Sequence, residues 1–273
     1  ELKDAQFLYK KFVRGEKQMN KVHYFRSDLH RLLKNYPLYL AVLGVAAALW
    51  FSLENYAFQE EMVNGNVLDT YIMSTNMSGI MIAYAFCAFP YAAAFCEDLE
   101  NKYARYSINR GNARRYAVSK SVVIYGSSAV TMVLGTFLFV ACIRLRLPWI
   151  SEYTDLGVLQ AGMYGTLLDG EHYWIYVFFY ALQLGMLAGV LSLAAAFLSM
   201  FVSNKMMLLI TPILLYQILL EYRGDSWFSV MLVRPFLNQF PSDMQYFLTV
   251  FGCSLCFSIL LVWGICEKIK NRL

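Results

Sequence analysis

Residues 173–202 read YWIYVFFYALQLGMLAGVLSLAAAFLSMFV, a stretch with no Asp, Glu, Lys, Arg or His. Roughly 20 apolar residues in helix cross a hydrocarbon core about 30 Å thick, and this run is longer than that. It shows no alternation of period two, so a membrane helix is predicted rather than a barrel strand. Comparable apolar segments stand on either side of it, at 37–53, 71–95, 121–142, 206–220 and 245–266. The 273-residue chain is 59% hydrophobic and 15% charged, whereas a soluble domain carries about 25% charged residues. The fold class implied is an all-α integral membrane protein with six transmembrane helices.

Charge orients it. Every Lys and Arg except Arg144, Arg146, Arg223 and Arg234 falls before residue 37, in the loop 97–120, in the turn 203–205 or after Cys266. Acidic residues lean to the opposite loops, Glu60, Glu61, Asp155 and Asp225 among them. Basic loops stay on the cytoplasmic side, and the two distributions agree only for an even number of spans with both termini cytoplasmic. The expected divisions are a cytoplasmic arm and interfacial helix at 1–36 and a six-span domain at 37–273. The first 36 residues are polar and basic, unlike a cleavable signal sequence.

Local patterns refine this picture. In residues 25–36, Phe25, Leu29, Leu32, Leu33 and Tyr36 share one helical stripe while Arg26, Arg31 and Lys34 lie off it, which predicts an amphipathic helix in the interface before the first span. The fifth span is short: 206–220 reaches about 22 Å at 1.5 Å per residue. Within the segment 221–244 that follows, Trp227–Phe240 is mostly apolar but broken by Arg234, Pro235, Asn238 and Gln239. A re-entrant hairpin there, with its polar groups against protein, reconciles both facts. Gly185 and Gly189, continued by Ser192 and Ala196, form a small face that admits a neighbouring helix, as do Gly44 and Ala48. Pro90 and Pro212 are expected to bend their helices.

Several chemistries are excluded. No G-x-x-x-x-G-K-[ST] phosphate loop occurs. The histidines, His23, His30 and His172, all lie outside the spans, so neither a metal centre nor a Ser–His pair can form there. The spans hold no Asp, Glu, Lys or Arg, which argues against an ion-coupled carrier and against a charged channel ring. The six cysteines all lie in or beside apolar segments, so no disulfide is expected, and Cys253-x-x-Cys256 reads as packing rather than as a metal or redox site. The chain is not expected to be an enzyme or to bind nucleic acid. Its expected surroundings are the lipid bilayer.

One polar segment remains. The loop 97–120 reads EDLENKYARYSINRGNARRYAVSK. Leu99, Tyr103 and Tyr106 share a helical face and 109–112 is a turn, so a short amphipathic helix runs off the second span and returns into the third. Such a helix suits docking of a soluble partner. The loop resembles the first cytoplasmic loop of type-2 ABC exporter permeases, with Glu97, Asp98 and Glu100 as the acidic run, Arg114 as the turn arginine, and Lys120 as the lysine entering the third span. Lys102 departs from a common Gly and Gly111 from a common Pro. The interfacial helix, six spans, tight turn at 203–205 and re-entrant segment at 221–244 extend the likeness over most of the chain.

The resemblance implies the membrane subunit of an ATP-driven exporter in the bacterial cytoplasmic membrane. Two copies of the chain, or one copy and a related permease, would form the pathway. Two cytosolic ABC ATPase subunits would bind ATP and Mg and dock on Glu97, Asp98, Leu99, Glu100, Tyr103, Tyr106, Arg114 and Arg115. A cavity lined by the first, second and fifth spans would bring Ser74, Asn76, Ser78, Thr211, Tyr216 and Gln217 to an amphipathic cargo such as a peptide, drug-like molecule or lipid. The alternative is a six-span scaffold or assembly factor that does not transport. The topology has a direct check in a background lacking the native cysteines. Cysteine at Glu61 or Asp155 should react in whole cells with an impermeant thiol reagent, and cysteine at Lys205 or Lys268 should not. Labelling at Lys205 from outside contradicts the orientation.

Overall fold

The computed structural model describes residues 24–34, 36–57, 65–101, 103, 112–151, 159–160, 162–201, 205–221 and 242–271. The arm at 1–23, most of the turn at 203–205 and most of the re-entrant segment at 221–244 lie outside these residues. In chain order the helices are α1 (Tyr24–Lys34), α2 (Tyr36–Ala57), α3 (Val67–Asn76), α4 (Gly79–Ala88), α5 (Ala94–Glu100), α6 (Ala113–Arg144), α7 (Thr166–Asp169), α8 (Tyr173–Ser199), α9 (Lys205–Glu221) and α10 (Asp243–Asn271). The described residues contain no strand. Four helices are long and apolar enough to cross a membrane: α2, α6, α8 and α10. Two shorter apolar helices accompany them, α4 and the Met206–Glu221 part of α9. The chain is thus an all-helical protein with membrane-spanning helices.

The uncharged run 173–202 becomes the centre of the bundle. α8 packs against α6, α9, α10 and α4, and Tyr176, Val177, Tyr180, Ala181 and Ala188 are fully or almost fully buried. Its small face receives α6 of the same chain. A Cβ on Gly185 would stand 3.0 Å from the Ala129 carbonyl oxygen, and one on Gly189 would meet the Tyr125 ring at 2.5 Å. The Gly44–Ala48 face of α2 likewise receives α4, where the Phe86 ring lies over Gly44. Without a hydrophobic force between helices in lipid, such close approach is what gives van der Waals packing its strength.

The second apolar segment is not one rod. α3 ends at Asn76, Met77 is extended (φ −94°, ψ 177°), and α4 begins at Gly79. Thr75 Oγ1 and Asn76 Nδ2 both donate to the Ile72 carbonyl, at 2.8 and 2.9 Å, and the Gly79 amide donates to Ser52 Oγ on α2 at 3.3 Å. Side chains therefore replace the ladder bonds lost at the break. A turn at 89–93 then separates α4 from α5, where Pro90 lacks the amide a continuous helix needs. In α9, Pro212 lies inside an unbroken helix.

Charge is segregated along the bundle. α1, α5, the start of α6 and the end of α10 share one end, with a core cluster that includes Leu32, Phe95, Tyr116, Ile124, Ile265 and Ile269. The acidic starts of α3 and α10 lie at the other, where Asp243 accepts from Thr166 Oγ1 at 2.5 Å and from the Tyr164 amide at 3.1 Å. Between them Gln183 on α8 accepts from the Tyr164 hydroxyl and donates to that of Tyr246, at 2.9 and 2.6 Å.

Gly79→Ala tests the break. The new methyl would overlap the Ala48 carbonyl oxygen and stand 2.5 Å from Ser52 Cβ. Overpacking of this kind costs about 1–3 kcal/mol, so the thermal midpoint in detergent should fall. Gly126→Ala on α6 meets nothing within 4 Å and should leave the midpoint unchanged or raise it.

Candidate functional site

The acidic run and the closing lysine of the loop 97–120 meet at the basic end of the bundle. Asn112 caps α6, its side chain accepting from the Arg114 amide at 2.9 Å, and the helix then runs without interruption to Arg144. Tyr116 and Lys120 are four apart and so share a face, which is turned onto α5. There Lys120 is completely buried and pairs with Asp98, itself almost wholly buried. The Lys120 ammonium also donates to the Ala94 carbonyl and to the Tyr116 hydroxyl, both at 3.2 Å. It lies 5.1 Å from the Tyr116 ring centre and 5.5 Å from that of Phe95, within cation–π range.

Asp98 is the hub. One oxygen takes Lys120 and, at 2.6 Å, the Tyr116 hydroxyl. The other takes Arg31 of α1 at 3.2 Å. Arg31 bonds Glu97 as well, at 3.0 Å. Burial pulls the Arg31 guanidinium down, but the Asp98 hydrogen bond and charge outweigh it and leave its pKa above the ordinary value. Asp28, one turn before Arg31, accepts from the Tyr91 hydroxyl at 2.7 Å, and burial raises its carboxyl above the usual range. Three helices far apart in sequence are thus tied by one carboxylate. Each buried ion has its hydrogen-bonding positions filled, the condition under which a buried pair is tolerated.

The residues picked from the sequence divide clearly. Glu97, Asp98 and Lys120 come together. Glu100 is exposed and accepts from the Cys96 thiol at 3.4 Å. Tyr103, Arg114 and Arg115 are exposed at the same end. The Leu99 side chain and Tyr106 lie outside the described residues. Sequence reading missed Arg31, Asp28, Tyr91 and Tyr116, whose only signals were spacings: Asp28 and Arg31 three apart, Tyr116 and Lys120 four apart.

The residues expected to line a pathway are spread over the break and α9. Ser74 is fully buried, its hydroxyl donating to the Tyr71 carbonyl at 2.7 Å. Asn76 and Ser78 are exposed at the break. Thr211 donates to the Met207 carbonyl at 2.9 Å. Tyr216 is buried with its ring centre 4.8 Å from that of Tyr84 on α4, and Gln217 is exposed. A cleft of about 180 Å³ lies beside the Arg31–Glu97 pair, between the Pro90 turn and Leu208 and Leu209 of α9, so the start of α9 borders the charged joint.

All six cysteines are free thiols. Among the described residues no group of three His, Cys, Asp or Glu side chains could hold a metal ion. Comparison with protein-family models, with curated proteins and with solved structures finds no match to this chain.

The joint predicts an asymmetry between its two ions. Asp98→Asn strands a fully buried Lys120 with one carbonyl and one hydroxyl, and removing a partner from a buried pair costs about 3–5 kcal/mol. Lys120→Met leaves Asp98 with Arg31 and Tyr116 and should cost less. Thermal unfolding in detergent should rank wild type above Lys120→Met above Asp98→Asn, and equal midpoints for the two variants would contradict the assignment of Asp98 as hub.

Proposed function

We propose that the chain is the membrane subunit of an ATP-driven exporter of the type-2 ABC class. It is taken to cross the bacterial cytoplasmic membrane six times, with a re-entrant hairpin between the fifth and sixth spans and both termini in the cytoplasm. Two permease copies, or this chain and a related one, enclose the pathway, and two separate ATPase subunits bind ATP and Mg. The cargo is amphipathic. The observation that carries this reading is the Asp98 joint. It holds the acidic run firmly against α6 and α1, while Tyr103 and Arg115, on either side of the loop, stay exposed at the same end of the bundle. A docking segment that transmits force needs a stiff root with exposed side chains beside it, and this arrangement has both. The broken second segment adds support, since non-helical backbone at membrane depth is tolerated where it faces protein or a polar cavity, and Asn76 and Ser78 are exposed there.

In this reading the cargo is bound between α4 and α9 near Ser74, Asn76, Ser78, Thr211, Tyr216 and Gln217, and hydrolysis in the partner moves α5. The test is co-purification and stimulated hydrolysis with the ATPase encoded nearest its gene, for wild type, Tyr103→Ala and Arg115→Glu. Close charge pairs at protein contacts carry about 1.5–7 kcal/mol, so Arg115→Glu should abolish association or uncouple hydrolysis, and Tyr103→Ala should weaken it. Both side chains are exposed, so membrane insertion should be normal. Unchanged association and unchanged stimulation in both variants would refute coupling through this loop and favour a scaffold.

A further inference from the structure

A second feature of the basic end lies on the opposite side of α6 from the lysine. A cleft of about 640 Å³ runs between the start of α6 and the end of α10. Both walls change character in the same direction. On α6, Arg114 at the mouth is followed one turn deeper by Val118; on α10, Lys270 and Glu267 at the mouth give way to Trp263 and Ile259. Trp263 is 68% exposed and Ile259 63%, so the apolar part is open along one side, and an indole at that level suits the membrane interface. Neither Arg114 nor Lys270 forms an ion pair among the described residues, although Glu267 lines the same mouth. We infer that this cleft binds an anionic phospholipid with a hydroxylated headgroup, of the phosphatidylglycerol type.

The chemistry follows from the three charges and the gradient. Two cations against one acid leave the mouth net positive, which selects an anionic phosphate over a zwitterionic head. Glu267 can accept only, so a headgroup that carries hydroxyl donors satisfies it. The apolar depth takes an acyl chain along Val118, Ile259 and Trp263, and a volume of this size lies within the range of small-molecule sites. A free phosphate would use the mouth and leave the apolar wall without a partner. The site shares Arg114 with the docking residues of the exporter reading but uses neither the proposed pathway residues nor the Asp98 joint, and its test acts on Trp263 and Lys270, which that reading does not use.

The experiment uses the full chain in detergent, titrated with phosphatidylglycerol or phosphatidylcholine brominated on the acyl chains. The difference in fluorescence quenching between wild type and Trp263→Phe reports the ring in the cleft. Phosphatidylglycerol should quench Trp263 at about tenfold lower concentration than phosphatidylcholine. One surface cation is worth about 1 kcal/mol toward an anionic lipid, so Lys270→Gln should weaken the phosphatidylglycerol response about fivefold and leave phosphatidylcholine unchanged. Glycerol 3-phosphate at millimolar concentration should not displace the lipid. Equal responses to the two lipids, an unaltered response in Lys270→Gln, or displacement by glycerol 3-phosphate each overturns the assignment. So does protection of Trp263 by self-association of the chain, which would give the cleft to a second copy.

Discussion

A single buried carboxylate organises the basic end of this protein. Taking a lysine and an aspartate out of water costs several kcal/mol per ion, and Lys120 is fully out of water. That cost is offset only because Asp98 receives Lys120, Tyr116 and Arg31 together, with aromatic faces over the ammonium. The requirement is strict. To satisfy it, α1 must lie against α6 and α5 must end where it does. The positions of three elements are thereby fixed by one site, with a partner on α1 that is 67 residues away in sequence.

The rest of the bundle supports that joint by close packing. α8 presents small residues to α6, which carries Tyr116 and Lys120, and α2 presents them to α4, so these backbones approach closely. α6 has 32 residues, about 48 Å at 1.5 Å per residue, against a hydrocarbon core of about 30 Å. It is therefore long enough to cross that core and still carry Tyr116 and Lys120 in its first two turns. Leu32 is the residue by which α1 enters the core there, while Phe25, Leu29 and Leu33 of α1, and Tyr36 at the start of α2, are exposed. That division sets one edge of α1 on protein and leaves its other apolar side chains exposed.

How much of this was legible in the sequence depended on the range of the interaction. The uncharged run 173–202 marked the central helix, and Arg31, Glu97 and Lys120 were all placed on the same side by charge alone. The small faces at Gly44 and Gly185 were visible as spacings. The true start of α6 was not. The reading stopped at Ser121 because charge begins there, but Arg and Lys are good helix formers and Asn112 supplies a cap, so α6 begins eight residues earlier at Ala113. The break at Met77 was equally hidden, because it rests on Ser52 of another helix. Only Pro90 carried a local signal. Burial of Lys120 was beyond sequence reasoning, since it follows from tertiary placement of Arg31 and Asp98 and not from any pattern near residue 120.

The central claim is that α1, α5 and the start of α6 behave as one rigid unit held by Asp98. Hydrogen exchange of the backbone amides in lipid nanodiscs tests it directly, comparing wild type with Asp98→Asn. If the claim holds, amides of Tyr24–Lys34, Ala94–Glu100 and the first two turns of α6 lose protection together, while the first half of α8 at the opposite end of the bundle keeps its own. If α5 loosens alone, or if no segment changes, the three helices are not joined through Asp98 and the account fails.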